Sequence, residues 1–317
     1  MPYNRENFKR IKKEFEGKYR RNIDNAEERA EEVRRLSPEI REIDRRLSSV
    51  GYDIYIAASS ENGRSIEEIK AETVAMRKRK NEILLSLGYP ENYTDIVYEC
   101  DICKDEGVID GHYCECFRHA LAAAGYESAG ISRLVRSCSF ENFSLDYYEG
   151  ESKRAAENAL GLCRLYAEKF KNEDYKNLLI RGGTGLGKTH LTVSMAKEII
   201  DRGNDVIYIP SGNLFSEYER EKFRNDNGAD TERFSDCDLL IIDDLGTEMI
   251  TQFTVSCFYT LINTRLNCGK PTVINTNYSL EDLKEKYGER IFSRILGEYA
   301  VITLSGKDVR LAKKMNS

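Results

Sequence analysis

One short stretch constrains this chain more than any other: the glycine-rich run GGTGLGKT at residues 182–189. It matches the pattern G-x-x-x-x-G-K-[ST] at every fixed position. The apolar residues just before it are typical of a buried strand, and the spaced apolar residues at 191–199 are typical of a helix. A strand, a glycine-rich loop and a helix in this order predict a polyphosphate-binding loop on an α/β fold with a parallel sheet.

Phosphate binding requires backbone N–H groups that point inward, and glycines adopt the necessary positive φ angles without a Cβ clash. The N-terminus of the following helix adds a partial positive charge. We expect the Lys188 ammonium to reach the β- and γ-phosphates of a bound polyphosphate, and the Thr189 hydroxyl to ligate Mg²⁺. The candidate nucleotide-binding residues of this segment are Gly182, Gly183, Thr184, Gly185, Leu186, Gly187, Lys188, Thr189 and His190.

A second run of large aliphatic residues ends in two acids, Asp243 and Asp244. It predicts a buried parallel strand that delivers both carboxylates to the carboxyl-terminal edge of the sheet. We expect Asp243 to hold the Mg²⁺ shell and Asp244 to orient or activate the attacking water. Glu248, four residues after Asp244, is a candidate for polarising that water.

A later predicted strand, at residues 271–277, ends in a polar residue at the same edge. Asn277 is the candidate for contact with the γ-phosphate or its water, and Asn275 is its competitor. Because side chains alternate along a strand, we expect only one of the two amides to point toward the site. Further strands are predicted at 205–210 and 301–304.

The chain has nine cysteines, and four of them form a C-x2-C and a C-x-C pair: Cys100, Cys103, Cys114 and Cys116. In a reducing compartment this clustering favours a metal site over disulfides. Two pairs separated by a short turn-rich segment fit tetrahedral Zn²⁺. His112 or His119 is an alternative to one sulfur of the tighter pair. Four protein ligands leave no position for water, so we expect a structural site.

Residues 5–47 are dense in charged side chains, with apolar residues spaced three and four apart along one helical stripe. Ser37 followed by Pro38 predicts the end of one helix and the start of another. We expect a loop that contains Gly51, and then a helix that opens with a capping box at Ser65 and ends before Gly88. This coiled-coil-like arm is either a surface for a partner protein or a self-packed solvated hairpin.

No run of 18 or more apolar residues occurs among the 317, so we expect no membrane span. The polar N-terminus lacks the apolar segment of a signal peptide, and we expect a cytoplasmic protein. The net charge of −6 is unevenly distributed. Residues 1–90 carry 20 Lys and Arg against 17 Asp and Glu and are net positive, so the negative charge lies in the rest of the chain. This charge excludes a basic field over the whole chain, so any DNA contact requires local patches, and assembly into an oligomer would help.

The pattern resembles the AAA+ ATPases of the DnaC/DnaI helicase-loader group, whose relatives include the IstB transposition helper ATPases. The residues that carry the resemblance read GGTGLGKTHL, LLIIDDLGTE, TVINTN, and RIFSRI followed by SGKDVR, and they cover residues 140–310. The resemblance implies an AAA+ P-loop fold with Walker A at 182–189, Walker B at Asp243 and Asp244, and sensor 1 at Asn277.

It also implies an arginine finger at Arg294, with Arg290 as the second choice, and a sensor-2-like role for Arg310. Since the sequence stops soon after Arg310, we expect a minimal C-terminal lid. The predicted parts are a partner-binding helical arm at 1–90, a zinc-binding module at 91–125, a connector at 126–150 and the AAA+ domain at 151–317.

The function that the resemblance implies is ATP-dependent loading of the replicative DNA helicase onto single-stranded DNA. The arm and the zinc module would hold the helicase, the AAA+ domain would self-associate, and hydrolysis would time the release. DNA contacts are implied for Lys222, Phe223 and Arg224. Two alternatives stay open: a transposition helper that binds duplex DNA and a transposase, and a nucleotide-gated adaptor with negligible hydrolysis.

Overall fold

A computed structural model describes residues 4–59, 65–171, 177–224 and 229–315 of the chain. Two compact units are present: residues 12–116, and residues 1–11 together with 117–317. Within the described ranges, no helix has the length and apolar character needed to cross a membrane.

Three long helices come first: α1 (Arg5–Leu36), α2 (Pro38–Ser59) and α3 (Ile66–Ser86). They bury a small apolar cluster that includes Val33, Ile40 and Leu84. The capping box at Ser65 is confirmed, because the Glu68 N–H donates to Ser65 Oγ at 3.1 Å and the Ser65 N–H donates to the Glu68 carboxylate at 3.2 Å.

The expectation of a loop around Gly51 was wrong, because α2 continues through Gly51 to Ser59. One glycine in a helix interior costs about 1 kcal/mol relative to alanine. The hydrogen bonds of an already formed helix outweigh that cost, since propagation is cooperative. A single glycine was therefore too weak a signal for a helix end.

A short antiparallel hairpin, β1 (Val108–Ile109) and β2 (His112–Tyr113), follows in residues 12–116. The second unit is built on five parallel strands: β3 (Asn177–Arg181), β4 (Val206–Pro210), β5 (Leu239–Leu245), β6 (Thr272–Thr276) and β7 (Tyr299–Thr303). Their order across the sheet is β4-β5-β6-β3-β7. This sheet confirms the predicted α/β class.

Helices cover both faces of the sheet, which explains why its strands are apolar on both sides. Ile180, Ile241 and Val273 lie on the face packed by α6, whereas Leu240 and Ile274 lie on the opposite face. The remaining helices of the described chain are α4 (Glu115–Ser128), α5 (Gly150–Lys169), α6 (Lys188–Asp201), α7 (Ser211–Arg224), α8 (Ala229–Asp236), α9 (Gln252–Asn267), α10 (Leu280–Tyr287), α11 (Glu289–Glu298) and α12 (Val309–Met315).

Candidate functional site

The glycine-rich loop joins β3 to α6 at the carboxyl-terminal edge of the sheet. Gly185 and Gly187 have φ angles of 75° and 80°, which favour glycine. A Cβ on Gly187 would also lie 2.7 Å from the Phe143 ring, and a Cβ on Gly185 would collide with the Asp308 carboxylate. The loop therefore needs glycine at these positions for both conformation and space, as a close cradle for phosphate does.

Lys188 is 5% exposed and lies across the mouth of the loop. Its ammonium donates to the carbonyl oxygens of Gly182 and Gly183, each at 2.8 Å, and to Asn277 Oδ1 at 2.6 Å. Burial lowers the pKa of Lys188, and the carboxylates of Asp244 and Asp243 partly offset that effect. The cleft thus holds a poorly solvated cation, which an anionic ligand would stabilise.

Asp243 is buried near the end of β5 and accepts hydrogen bonds on both oxygens. Oδ2 accepts from the Thr189 hydroxyl at 3.0 Å and from the Tyr208 hydroxyl, and Oδ1 accepts from Asn275 Nδ2 at 2.6 Å. A carboxylate and a hydroxyl side by side are hard oxygen ligands of the kind that Mg²⁺ takes together with substrate phosphates. Thr189 and Asp243 therefore fit the predicted magnesium site.

Asp244 faces the same cleft because β5 is irregular at this point. The register with β6 shifts between Ile242 and Leu245, and Asp244 has a φ of 51°. A β-bulge of this kind re-aims a side chain that would otherwise alternate away. Burial raises the pKa of the Asp244 carboxyl, and the neighbouring charge of Asp243 adds to the rise. A carboxylate with a raised pKa is better suited to accept a proton from water.

The two candidate asparagines differ in depth. Asn277 lines the cleft, whereas Asn275 is fully buried beneath it and donates to Thr192 Oγ1 at 2.9 Å and to Asp243. Our expectation that strand alternation would separate them was wrong, because residues two positions apart share a face. Asn277 reaches the cleft because it lies beyond the last residue of β6.

Glu248 is not among the described residues that line the cleft. Its carboxylate accepts from the Gly246 N–H at 2.9 Å and from the hydroxyls of Ser211 and Tyr287. The structure therefore does not bring Glu248 together with the other predicted residues. His190 does line the cleft, with Nε2 2.8 Å from the Ser139 carbonyl and its ring edge-on to Phe143.

The predicted arginines separate into two groups. Arg310 lines the cleft, and the backbone N–H of the preceding Val309 donates to Gly185 O at 3.1 Å. Arg294 is exposed on α11 and is not among the described residues that line this cleft. Arg290, one turn earlier, lines a separate groove beside the start of α9.

One wall of the cleft was not predicted from the sequence. The cleft has a volume of about 500 Å³, and the connector supplies that wall through Leu134, Cys138, Phe143, Tyr147 and Tyr148. The Tyr148 hydroxyl donates to the Leu186 carbonyl within the loop at 3.0 Å. Aromatic residues in this segment were visible, but their periodicity gave no sign of the loop that they contact.

The cysteine cluster lies in the unit formed by residues 12–116. The four Sγ atoms of Cys100, Cys103, Cys114 and Cys116 lie within 4.8 Å of one another. A tetrahedral zinc site with bonds of about 2.3 Å requires sulfurs about 3.8 Å apart. The Cys100–Cys114 and Cys103–Cys116 sulfurs are separated by 3.9 and 3.4 Å. The cluster therefore fits Zn²⁺ with four cysteines, and neither His112 nor His119 belongs to it.

Backbone and carboxylate contacts organise the first cysteine pair. The backbone N–H groups of Cys103 and Ile102 lower the pKa of Cys100 to about 7, which favours the thiolate at this position, whereas burial raises the pKa of Cys103 and of Cys116. Asp105 is fully buried and accepts from the N–H groups of Glu99 and Cys100, both at 2.9 Å. Its carboxylate also accepts from Asn22 Nδ2 of α1 at 2.8 Å.

The segment predicted to contact DNA forms the end of α7. The Phe223 side chain is 85% exposed, and the Lys222 ammonium lies 4.5 Å from the centre of the Phe253 ring. The exposed Phe223 ring is a surface on which a base can stack, and the Lys222 cation lies over a different ring, that of Phe253. The Arg224 side chain lies outside the described part of the chain.

Comparison with known proteins gives similarities centred on the region that contains the cleft. Residues 131–317 match the family model described as IstB-like ATP binding protein. The replicative helicase loader DnaC of Escherichia coli strain K12 is 28% identical over 173 residues, covering 54% of this chain and 67% of that protein. An ATP-binding protein of insertion sequence IS21 from Pseudomonas aeruginosa is 23% identical over 188 residues, covering 58% and 68%.

Among solved structures, a crystal structure of the DnaC helicase loader is 27% identical, with a TM-score of 0.45, and covers 52% of this chain and 98% of that one. The region matched by the family model, residues 131–317, contains every residue of the cleft described above.

Proposed function

Because the chain belongs to the IstB-like ATP-binding protein family, we propose that it is an ATPase that loads the replicative DNA helicase onto single-stranded DNA. ATP hydrolysis then times the release of the helicase. The observation that carries the ATPase part is the convergence of Lys188, Asp243, Asp244 and Asn277 at the glycine-rich loop.

Each of these residues has a chemical task in the proposed reaction. The loop N–H groups and the Lys188 ammonium bind the β- and γ-phosphates. Thr189 and Asp243 hold Mg²⁺, which neutralises charge on the phosphate oxygens when it is bound. Asp244 orients the attacking water and accepts its proton, and Asn277 holds the γ-phosphate or that water.

The helicase-loading part is supported by the DnaC relatives and by what precedes the ATPase region. Residues 12–116 form a separate unit with three helices and a cysteine cluster that fits zinc. Neither the helices nor the cluster contributes a residue to the cleft as described. A unit without a part in hydrolysis is suited to holding a partner protein, and we assign the helicase to it.

Co-purification with the replicative helicase of the host tests this assignment. The tagged chain should retain the helicase with a non-hydrolysable ATP analogue and release it over time with ATP. The Asp244→Asn variant should keep the helicase bound with ATP, because release requires hydrolysis. Recovery of a transposase and no helicase would overturn the proposal.

A second candidate function is a transposition helper. Two observations favour it: the family model is IstB-like, and an IS21 ATP-binding protein is among the relatives. The site chemistry would be the same, but the partners would be duplex DNA and a transposase. Equal affinity for duplex and single-stranded DNA, together with no helicase binding, would favour this candidate.

Hydrolysis itself is tested with the same Asp244→Asn variant. The amide cannot accept a proton, so turnover should fall by about 100-fold or more. ATP affinity measured by calorimetry should stay within about threefold of wild type, because the phosphate ligands are intact. If wild type and variant turn over equally slowly, the chain is a nucleotide-gated adaptor and not an ATPase.

A further inference from the structure

Tyr208, on the edge strand β4, contacts the buried carboxylate of the cleft from behind. Its hydroxyl donates to Asp243 Oδ2, the same oxygen that accepts the Thr189 hydroxyl. Tyr208 is 7% exposed and Asp243 is 5% exposed. Tyr208 is not among the described residues that line the cleft, so it has no direct access to a ligand there.

The register of the sheet fixes this contact. Tyr208 pairs with Ile241 of β5, and Asp243 follows two residues later on the same face. A tyrosine is long enough to reach this diagonal neighbour. The backbone N–H of Tyr208 donates to the Ala129 carbonyl of the connector at 3.2 Å, which anchors the edge strand on its outer side.

The hydroxyl is the donor in this contact. An ionised carboxylate has no proton to give, so the phenol O–H donates to Asp243 Oδ2. The carboxylate therefore has a fixed set of donors: Tyr208 and Thr189 on Oδ2, and Asn275 on Oδ1. Three donors on one carboxyl group remove its freedom to rotate about the Cβ–Cγ bond.

We propose that Tyr208 is a positioning residue for the metal shell of the cleft. Its hydroxyl holds the Asp243 carboxylate in the orientation in which Asp243 and Thr189 present their oxygens to Mg²⁺. Outer partners of a ligating carboxylate are worth about 10-fold to 100-fold in metal affinity. The inference rests on the proposed function of the cleft as a magnesium–ATP site.

The test compares Tyr208→Phe with wild type in nucleotide binding, without any measurement of turnover. Calorimetry with the analogue AMPPNP is carried out in EDTA and at a series of fixed Mg²⁺ concentrations. The matched control is Tyr299→Phe, which removes a buried tyrosine hydroxyl from β7 at the opposite edge of the same sheet, where Tyr299 pairs with Asn177. Melting temperatures establish that both variants are folded.

We expect Tyr208→Phe to need about 10-fold more Mg²⁺ for half-maximal tightening of AMPPNP binding. Its affinity in EDTA should equal that of wild type, because the phosphate loop is unchanged, and Tyr299→Phe should behave as wild type in both conditions. A general packing defect would weaken binding in EDTA as well, and that result would overturn the inference. An unchanged Mg²⁺ dependence would overturn it too.

The same titration separates this inference from the proposed function. If wild type binds AMPPNP but Mg²⁺ never tightens the binding, the magnesium–ATP assignment of the cleft fails, and the role of Tyr208 fails with it. If Mg²⁺ tightens binding to wild type and to Tyr208→Phe at the same concentration, only the role of Tyr208 fails.

Discussion

The buried charge of Lys188 destabilises the nucleotide-free protein. Burial is the largest influence on its pKa and lowers it, although three oxygen atoms accept from the ammonium. A lysine whose pKa is lower in the folded than in the unfolded chain destabilises the fold. The cost is complete below the folded pKa and disappears as the pH rises to the unfolded pKa. At neutral pH the cost is therefore present, and bound phosphate offsets it.

Lys188→Met should separate binding from stability. Wild type should gain about 2.7 kcal/mol from a nucleotide present at a hundred times its Kd, and the variant should gain nothing. Without nucleotide the variant should be at least as stable as wild type, because a buried charge has been removed. Thermal unfolding with and without magnesium–AMPPNP measures both effects.

Lys197→Met is the matched control for that prediction, since Lys197 lies on the same helix in a surface ion pair with Asp201 at 2.9 Å. It should retain the full nucleotide effect. A remaining nucleotide effect in Lys188→Met would contradict the assignment of Lys188 to the phosphates.

Asp105 organises the cysteine cluster, because its carboxylate accepts from the backbone N–H groups of Glu99 and Cys100 and so fixes the backbone there. Wild type should contain about one zinc per chain, as a single four-cysteine site requires. Asp105→Asn should lose zinc to a chelator at about 10-fold lower concentration, because the amide replaces an acceptor oxygen with a donor. A colorimetric chelator competition measures this difference.

The control for zinc retention is Asp101→Asn, since Asp101 lies between Cys100 and Cys103 but its side chain is 94% exposed. It should retain zinc as wild type does. Folded, metal-free wild-type protein would contradict the zinc site itself, and equal retention by all three proteins would contradict the role of Asp105.

At the scale of elements, short sequence patterns predicted those structural features that depend only on neighbouring residues. The glycine-rich loop, the strand that carries Asp243 and the cap at Ser65 are encoded within a few residues of themselves, and the structure contains all three. The parallel sheet and the family match confirm the AAA+ P-loop class. The bulge that turns Asp244 into the cleft was not predictable, because it depends on pairing with β6.

Contacts between distant segments left no signal in the sequence. Arg265 lies on α9, and arginine side chains are mostly exposed unless they are paired. Instead it is fully buried and donates to the carbonyls of Phe234 and Pro271, at 2.7 and 2.6 Å, and to Thr272 Oγ1 at 3.0 Å. It satisfies carbonyls at the end of α8 and at the start of β6, which only the folded chain brings together.

Gly51 led to the wrong prediction of a loop, and substitutions at two glycines test the physical reason. Gly51 lies inside α2 with ordinary helical φ, whereas Gly88 follows α3 with a φ of 85°, and a Cβ would meet nothing within 4 Å at either position. Gly51→Ala should stabilise its helix by about 0.5–1 kcal/mol. Gly88→Ala should destabilise by about 1 kcal/mol, because only its backbone is strained.

Hydrogen exchange of the amides in α2 and α3, measured in the full chain, gives both values. Protection should rise in α2 for Gly51→Ala and fall near the end of α3 for Gly88→Ala. The same sign for both substitutions would contradict the explanation, because a Cβ meets no neighbour at either site and the backbone conformation sets the sign.

At the scale of the whole molecule, the described cleft lacks one predicted group. Lys188 and Arg310 are its cations, whereas Arg294 is exposed on α11 and does not line it. An exposed arginine that serves phosphoryl transfer has to reach the site of another copy, where it stabilises the charge of the transition state. The proposed hydrolysis would then be a property of the assembly and would depend on protein concentration.

Arg294→Ala should leave ATP affinity unchanged and lower turnover by about 1000-fold, the smaller end of the effect of an arginine finger. Steady-state ATPase assays of mixed variants test whether the finger acts between copies. Lys188→Met supplies Arg294 but binds no ATP, and Arg294→Ala binds ATP but lacks the finger, so a mixture of the two inactive proteins should regain activity. Arg290→Ala, one turn away on α11, is the matched control and should be active alone. No recovery in the mixture, or activity of Arg294→Ala at every concentration, would contradict a finger supplied by a neighbouring copy.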